Sequence, residues 1–91
     1  MERKGRTVVT KVRREAIQGY SLVYTLLRTR LAGRAGYSWS ISVTIDGKYG
    51  RETATASDLT RSRTEAVRLF NLLADMTVTP CALADVLEEL L

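Results

Sequence analysis

The side chains that most often carry enzyme chemistry are scarce in this 91-residue chain, which has no histidine and a single cysteine, Cys81. Ser-His-Asp and Cys-His catalytic arrangements therefore cannot be built from it. No cysteine or histidine cluster has the spacing of a zinc site. Cys81 lies between Pro80 and Ala82, and we interpret it as a small structural side chain. We predict no bound metal and no cofactor.

Carboxylates and tyrosines are the remaining groups for acid–base chemistry. Glu52 follows Arg51 in a strand-like segment, and a one-residue slip in strand register decides whether it faces the helices or solvent. A catalyst would need Glu52, Asp58 or tyrosines gathered in a pocket, and the sequence indicates no such pocket. We therefore predict that the protein is not an enzyme.

Basic residues form the one group typical of a binding surface. Residues 1–36 hold nine Lys or Arg and two acidic residues, a net charge of +7, whereas residues 69–91 hold no base and four acids. Such asymmetry favours either a nucleic-acid contact or charge complementarity within the fold or between subunits. The candidate nucleic-acid contacts are Arg3, Lys4, Arg6, Lys11, Arg13, Arg14 and Arg28.

Aromatic rings near these bases could stack on nucleobases. Tyr20 and Tyr24 lie in one strand-like segment, and Tyr37 and Trp39 in the next. Tyr37 and Trp39 also share a face with aliphatic residues, which favours a place in the core. The segment 33–36 lacks the pattern of a phosphate-binding loop, and we interpret its glycines as turn residues.

The clearest periodicity in the chain is an alternation over residues 37–45. It predicts a half-buried strand, with serine and threonine side chains on the second face as either a solvated surface or a flat contact surface. Asp46-Gly47 predicts a hairpin turn, after which 48–56 returns as an edge strand. Strands are also predicted at 7–12 and 20–28, with 13–19 and 57–61 as connections. Residues 1–6 are predicted to form a flexible basic tail.

Two helices are predicted after the strands. Ser62 and Glu65 form a capping-box pattern that starts a helix over 63–76. Thr79 followed by Pro80 starts a second helix over 80–90. The apolar stripes are Ala66, Leu69, Phe70, Leu73 and Met76 in the first helix, and Leu83, Val86, Leu87 and Leu90 in the second.

These elements predict one α+β domain over residues 1–91. An antiparallel meander of about four strands (7–12, 20–28, 37–45, 48–56) is followed by two helices (63–76, 80–90) that cover one sheet face. No apolar segment approaches the roughly 20 residues of a membrane helix, and no signal-peptide pattern occurs. We expect a cytoplasmic protein with no membrane contact.

The stretch 37–91 resembles a family of short uncharacterised bacterial proteins. The resemblance rests on the Tyr-x-x-x-Ile strand at 37–41, the helix start at 62–66 and the ending at 78–91, which begins Val-Thr-Pro. It covers a little over half the chain. The resemblance implies a small intracellular domain and brings no activity, cofactor or catalytic residue.

The combined interpretation is a non-enzymatic interaction module that acts through a protein partner or its own homodimer. The alternative is a nucleic-acid-binding regulator that uses the basic N-terminal third. The C-terminal leucines either dock on the sheet or cross to a second subunit. The candidate partner or dimer contacts are Leu83, Leu87, Leu90, Leu91, Tyr49 and Arg51.

Overall fold

A computed structural model describes residues 6–91 of the chain. Four antiparallel strands follow one another in chain order across a single sheet, and two helices come after them. The predicted α+β meander is confirmed, with longer strands. The elements are β1 (Thr7–Ile17), β2 (Tyr20–Arg30), β3 (Tyr37–Gly47), β4 (Gly50–Thr60), α1 (Arg63–Asp75), a 3₁₀ turn (Pro80–Ala82) and α2 (Leu83–Leu90).

The predicted connection over 13–19 is wrong, because β1 continues through most of it. Arg13 pairs with Tyr24 and Glu15 with Leu22. The turn itself is Gln18-Gly19, with φ of +44° and +85°, as a two-residue hairpin turn requires. β1 is an edge strand, and most of its side chains are exposed. Polar residues are therefore tolerated there, and they interrupt the apolar alternation by which a strand is recognised.

The predicted turn at Asp46-Gly47 is also wrong. Gly47 pairs with Gly50, and the turn lies two residues later, at Lys48 and Tyr49. Gly47 serves a different purpose: a Cβ on it would lie 2.3 Å from the ring of Tyr20. The two turns place residues 18–19 and 48–49 at one end of the sheet, which we call the hairpin end.

The predicted connection over 57–61 belongs largely to β4, which runs to Thr60 and contains a bulge. Trp39 pairs with Thr60 and Ile41 with Ala56, so three residues of β4 face Ser40 alone. Asp58 sits in the bulge with a φ of +52°. Its backbone N–H donates to Ser40 Oγ at 3.1 Å.

The predicted solvated row of hydroxyls is therefore wrong at its start. Ser38 Oγ donates to Asp58 Oδ1 at 2.7 Å, and Ser38 and Ser40 are buried beneath the bulge. Further along the same face the hydroxyls of Thr44 and Thr53 lie 2.9 Å apart and are exposed. Within residues 6–91 both helices pack against the other face of the sheet.

The start of α1 is capped as predicted, by half of the capping box. Ser62 Oγ accepts a hydrogen bond from the Glu65 N–H at 3.2 Å. The Ser62 N–H donates to Thr60 Oγ1 at 3.0 Å, while the Glu65 carboxylate binds Arg68 instead. The Arg68 guanidinium lowers the pKa of Glu65.

The core lies between the helices and one face of β2 and β3. β2 contributes Leu22, Tyr24 and Leu26, all fully buried, because alternate residues of a strand share a face. The remaining large core side chains are Trp39, Ile41, Val43, Leu69, Phe70 and Leu73. The predicted helix stripe is confirmed except at Met76, which follows α1 and is exposed.

The C-terminal leucines dock on the chain's own sheet. Leu83 and Leu87 are 2% and 5% exposed, and Leu90 packs against the same core. Of the leucines predicted as partner contacts, Leu83, Leu87 and Leu90 thus pack within the fold, where α2 lies against β4. None of the helices within 6–91 is long and apolar enough to cross a membrane.

Candidate interaction site

An arginine-rich surface forms at the end of the sheet opposite the hairpin turns. Strand pairing places Arg30 beside Tyr37 and Arg28 beside Trp39, and the end of β4 lies next to Trp39. The Arg30 N–H donates to the Arg6 carbonyl oxygen at 3.4 Å. We call this surface the arginine end; its members are Arg6, Arg28, Arg30, Arg34, Arg61 and Arg63.

The charges of the arginine end are not neutralised within the described residues. None of its six members forms a salt bridge with an acidic residue in 6–91, and all except Arg28 are exposed. Arg28 stacks on Tyr37, with its guanidinium carbon 4.5 Å from the ring centroid. Its Nε is buried with no hydrogen-bond acceptor in that part of the chain.

Tyr37 also packs on Trp39, with the ring centroids 6.5 Å apart and an interplanar angle of 62°. Trp39 is only 3% exposed, which confirms its predicted place in the core. The stack therefore holds one guanidinium in a fixed position, with Tyr37 half-buried beneath it. Guanidinium groups held this way match the planar geometry of carboxylate and phosphate ligands.

The predicted nucleic-acid contacts do not form one surface in the described part of the chain. Arg6 and Arg28 belong to the arginine end. Lys11 lies on the helix-covered face, its Nζ 5.7 Å from the centroid of Phe70. Arg14 is on the opposite face, where pairing places it beside Val23. Arg3 and Lys4, like most of the predicted tail, lie outside the described residues.

Arg13 is committed to contacts inside the molecule. Its guanidinium lies 2.7 Å from Asp75 and 2.9 Å from Glu15. These two carboxylates raise the pKa of Arg13. A phosphate ligand would have to displace both, so Arg13 is a poor candidate for nucleic-acid binding.

Four members of the arginine end were missed by the sequence prediction. Arg30 and Arg34 were counted in the basic third without being named as contacts, and Arg61 and Arg63 lie about thirty residues further along the chain. Only the pairing of β2, β3 and β4 brings the two groups together. No local pattern in the sequence signals this.

An acidic surface lies on α2. Asp85, Glu88 and Glu89 are exposed and follow one another at helical spacing, so they share one side of the helix. No salt bridge joins any of them to a basic residue within 6–91. We call these three residues the acidic face.

The other predicted partner contacts are exposed. Tyr49 is 88% exposed at the tip of the β3–β4 turn, and Leu91 is 66% exposed at the chain end. Arg51 lies in β4, which is an edge strand as predicted. Its guanidinium binds Asp46 at 3.0 Å, so Arg51 already has a carboxylate partner.

The register of β4 decides the orientation of Glu52. It pairs with Ile45 and therefore shares the helix-side face, although it is exposed. Asp58 lies on the other face, bound to Ser38. The two candidate acid–base carboxylates are thus separated, and the structure does not bring them into one pocket.

An open cleft of about 460 Å³ surrounds Glu52 at the hairpin end, where the helices no longer cover the sheet. We call it the hairpin cleft; its lining is Tyr20, Ile45, Tyr49, Gly50, Arg51 and Glu52. Cys81 lies elsewhere, exposed beside the Thr79 hydroxyl at 3.5 Å. Within residues 6–91 no three acidic or cysteine side chains are grouped so that they could hold a metal ion.

One comparison with known proteins identifies the chain's relatives. Residues 4–91 match a family of unknown function (DUF6514), which extends the predicted resemblance to almost the whole chain. The chain therefore belongs to this family. No curated protein matches the chain, and no solved structure does.

Proposed function

We propose that this member of the family is a non-enzymatic interaction module that associates with a second copy of itself. The arginine end of one copy binds the acidic face of α2 on the other. The observation that carries this proposal is the presence of two oppositely charged surfaces on one domain, neither neutralised within residues 6–91.

Composition of the arginine end supports a protein partner. All six of its basic residues are arginines, and arginine is enriched at protein interfaces whereas lysine is depleted. The stack of Arg28 on Tyr37 joins two residue types that are common among energetically dominant contacts. A guanidinium already held in place loses less side-chain entropy on binding a carboxylate.

Opposite charge also gives the contact its direction. The arginine end of one copy repels the arginine end of another, and the acidic faces repel each other in the same way. Only the mixed contact is attractive. If two copies are related by a twofold axis, the same contact is made twice and a closed dimer forms. If they are not, each copy binds a further one and an open linear assembly forms.

Binding accounts for the exposed groups better than catalysis does. Glu52 and Asp58 lie on opposite faces of the sheet, so these two carboxylates are not placed to share acid and base roles. Five of the six arginines of the arginine end are exposed, as a contact surface requires.

Sedimentation velocity across a wide range of protein concentration tests the proposal. We expect the mean mass to rise with concentration at low salt and to fall again when added salt screens the charges. The double variant Arg30→Glu with Arg34→Glu should remain monomeric. A chain that is monomeric at every concentration at low salt would overturn the proposal.

A matched control separates this contact from general charge effects. Arg14→Glu with Lys48→Glu makes the same change in net charge at exposed positions outside the arginine end. This control should associate like the wild type. Equal loss of association in both double variants would show that net charge alone, and not the arginine end, drives the effect.

Nucleic-acid binding by the arginine end is the second candidate, because six arginines at one end of the sheet can neutralise phosphates. Fluorescence anisotropy with labelled duplex DNA and single-stranded RNA distinguishes it. A slope of log K against log salt of about −5 on duplex DNA corresponds to six phosphate contacts. Such binding near physiological salt by a monomeric protein, lost in the Arg30→Glu, Arg34→Glu variant, would favour this candidate over self-association.

A further inference from the structure

We propose that the hairpin cleft binds an alkylammonium group, as presented by a lysine side chain of another protein or by a free alkyl diamine. The cleft lies at the opposite end of the sheet from the arginine end. Its lining combines one carboxylate, from Glu52, with two tyrosine rings and an aliphatic floor. That combination matches a positive charge carried on a hydrocarbon stem.

The aromatic wall of the cleft is fixed by the backbone beneath it. Tyr20 lies over Gly47, where even a Cβ would come within 2.3 Å of its ring. The ring is 39% exposed, so one part of it packs against the strand and another part faces solvent. Ile45 lies beside it on the neighbouring strand, since pairing sets it next to Leu22.

The charge of the cleft comes from Glu52. No salt bridge joins Glu52 to a basic residue within 6–91. Arg51 also lines the cleft, but its guanidinium binds Asp46 at 3.0 Å, which neutralises it locally. The unneutralised group is therefore a carboxylate, and it favours a cation.

Tyr49 already attracts a cation from its own turn. The Nζ of Lys48 lies 5.8 Å from the centroid of the Tyr49 ring, within the distance at which an ammonium group interacts with an aromatic face. Lys48 is thus an internal competitor for the ring. Its removal should make binding of an external ammonium group stronger.

The stem of the ligand matters as much as its charge. Tyr20 and Ile45 offer apolar surface, along which a lysine side chain buries its methylene groups while its charged end stays near water. A bare ammonium ion would gain only the charge interaction. A neutral aliphatic side chain would gain only the apolar contact.

Two-dimensional ¹H–¹⁵N NMR titrations test the proposal with defined probes. The probes are N-acetyl-lysine methylamide, cadaverine, and the uncharged analogue N-acetyl-norleucine methylamide. We expect saturable shifts of the amide signals of residues 45–52 with the first two probes. Equal shifts with the norleucine analogue, or no saturable shifts with any probe, would overturn the proposal.

Variants locate the binding groups. Glu52→Gln should weaken binding of the lysine probe about threefold, the size expected of an exposed ion pair, and Tyr49→Ala should weaken it further. Asp75→Asn removes an exposed carboxylate at the end of α1 and should leave the affinity for the lysine probe unchanged. An unchanged affinity in Glu52→Gln would contradict the assignment.

The relative affinity of the probes identifies the source of the ammonium group. Tighter binding of the lysine methylamide indicates a protein lysine, whereas tighter binding of cadaverine indicates a free diamine; both support the alkylammonium site. The monomeric Arg30→Glu, Arg34→Glu variant should bind the lysine probe like the wild type. The result therefore does not depend on self-association.

Discussion

The phenol of Tyr24 donates a 2.9 Å hydrogen bond to the backbone carbonyl oxygen of Val78. Tyr24 lies in the middle of β2 and Val78 in the segment between α1 and the 3₁₀ turn, 54 residues further on. Both residues are buried. The bond gives a donor to the Val78 carbonyl, which lies outside the helices. It also holds the segment after α1 against the sheet, before the chain continues into the 3₁₀ turn and α2.

Removal of this hydroxyl should lower stability. Tyr24→Phe keeps the ring but leaves the buried Val78 carbonyl without its donor, which we expect to reduce the free energy of unfolding by about 1–2 kcal/mol. Urea denaturation followed by circular dichroism measures the change. Tyr49→Phe, at an exposed ring, serves as the control and should leave the midpoint unchanged. Equal midpoints for the two variants would contradict the role of the bond.

The same residue makes stability depend on alkaline pH. Burial, aided by the Glu15 carboxylate and opposed by Arg13, raises the pKa of Tyr24 above its ordinary value of 10.0. A pKa raised in the folded state means that the folded protein holds the proton longer than the unfolded chain. The contribution of the Tyr24 phenol to the free energy of unfolding is therefore fully present below pH 10.0 and declines as the pH rises above it. We expect the decline to be smaller in Tyr24→Phe, and an equal decline in both proteins would refute the link.

A double-mutant cycle tests the contact between Tyr20 and Gly47. Gly47→Ala places a methyl group against the ring, and we expect a loss of about 1–3 kcal/mol, as for other overpacked sites. In a Tyr20→Ala background the same change should be almost neutral, because Gly47 does not have a positive φ. Thermal unfolding of the four proteins gives the coupling energy. A coupling energy near zero would show that the ring moves aside easily.

The docking of α2 predicts unequal effects for neighbouring leucines. Leu87→Ala removes a side chain that is 5% exposed, and we expect a loss of about 2–4 kcal/mol from the core. Leu91→Ala, at a side chain that is 66% exposed, should change stability by less than about 0.5 kcal/mol. Denaturant titration measures both. Similar losses at the two positions would mean that α2 packs differently.

Local patterns in the sequence were sufficient for the central strands and for α1. Alternation through Trp39, Ile41 and Val43 predicted the buried face of β3, and Ser62 marked the helix start. The buried side chains repeat with the period of the element that carries them, so their spacing can be read without knowledge of the partners.

Features that depend on a partner could not be predicted in this way. The end of β1 is recognisable only once Arg13 is paired with Tyr24, because an edge strand tolerates polar residues. Asp46-Gly47 has the composition of a turn. Glycine is needed at position 47, however, because the ring of Tyr20 on the neighbouring strand β2 leaves no room for a Cβ. Arg61 joins the arginine end only through pairing of β3 with β4.

The central claim is that the arginine end of one copy binds the acidic face of another, and a charge exchange tests it most directly. One variant carries Arg30→Glu, Arg34→Glu, Arg61→Glu and Arg63→Glu; the other carries Asp85→Lys, Glu88→Lys and Glu89→Lys. Each alone presents surfaces of one sign to its own copies, so each should be monomeric. An equimolar mixture restores opposite charges at both contacts, and sedimentation velocity should show the mass of an assembled species at low salt. A mixture that stays monomeric while the wild type associates would contradict the claim.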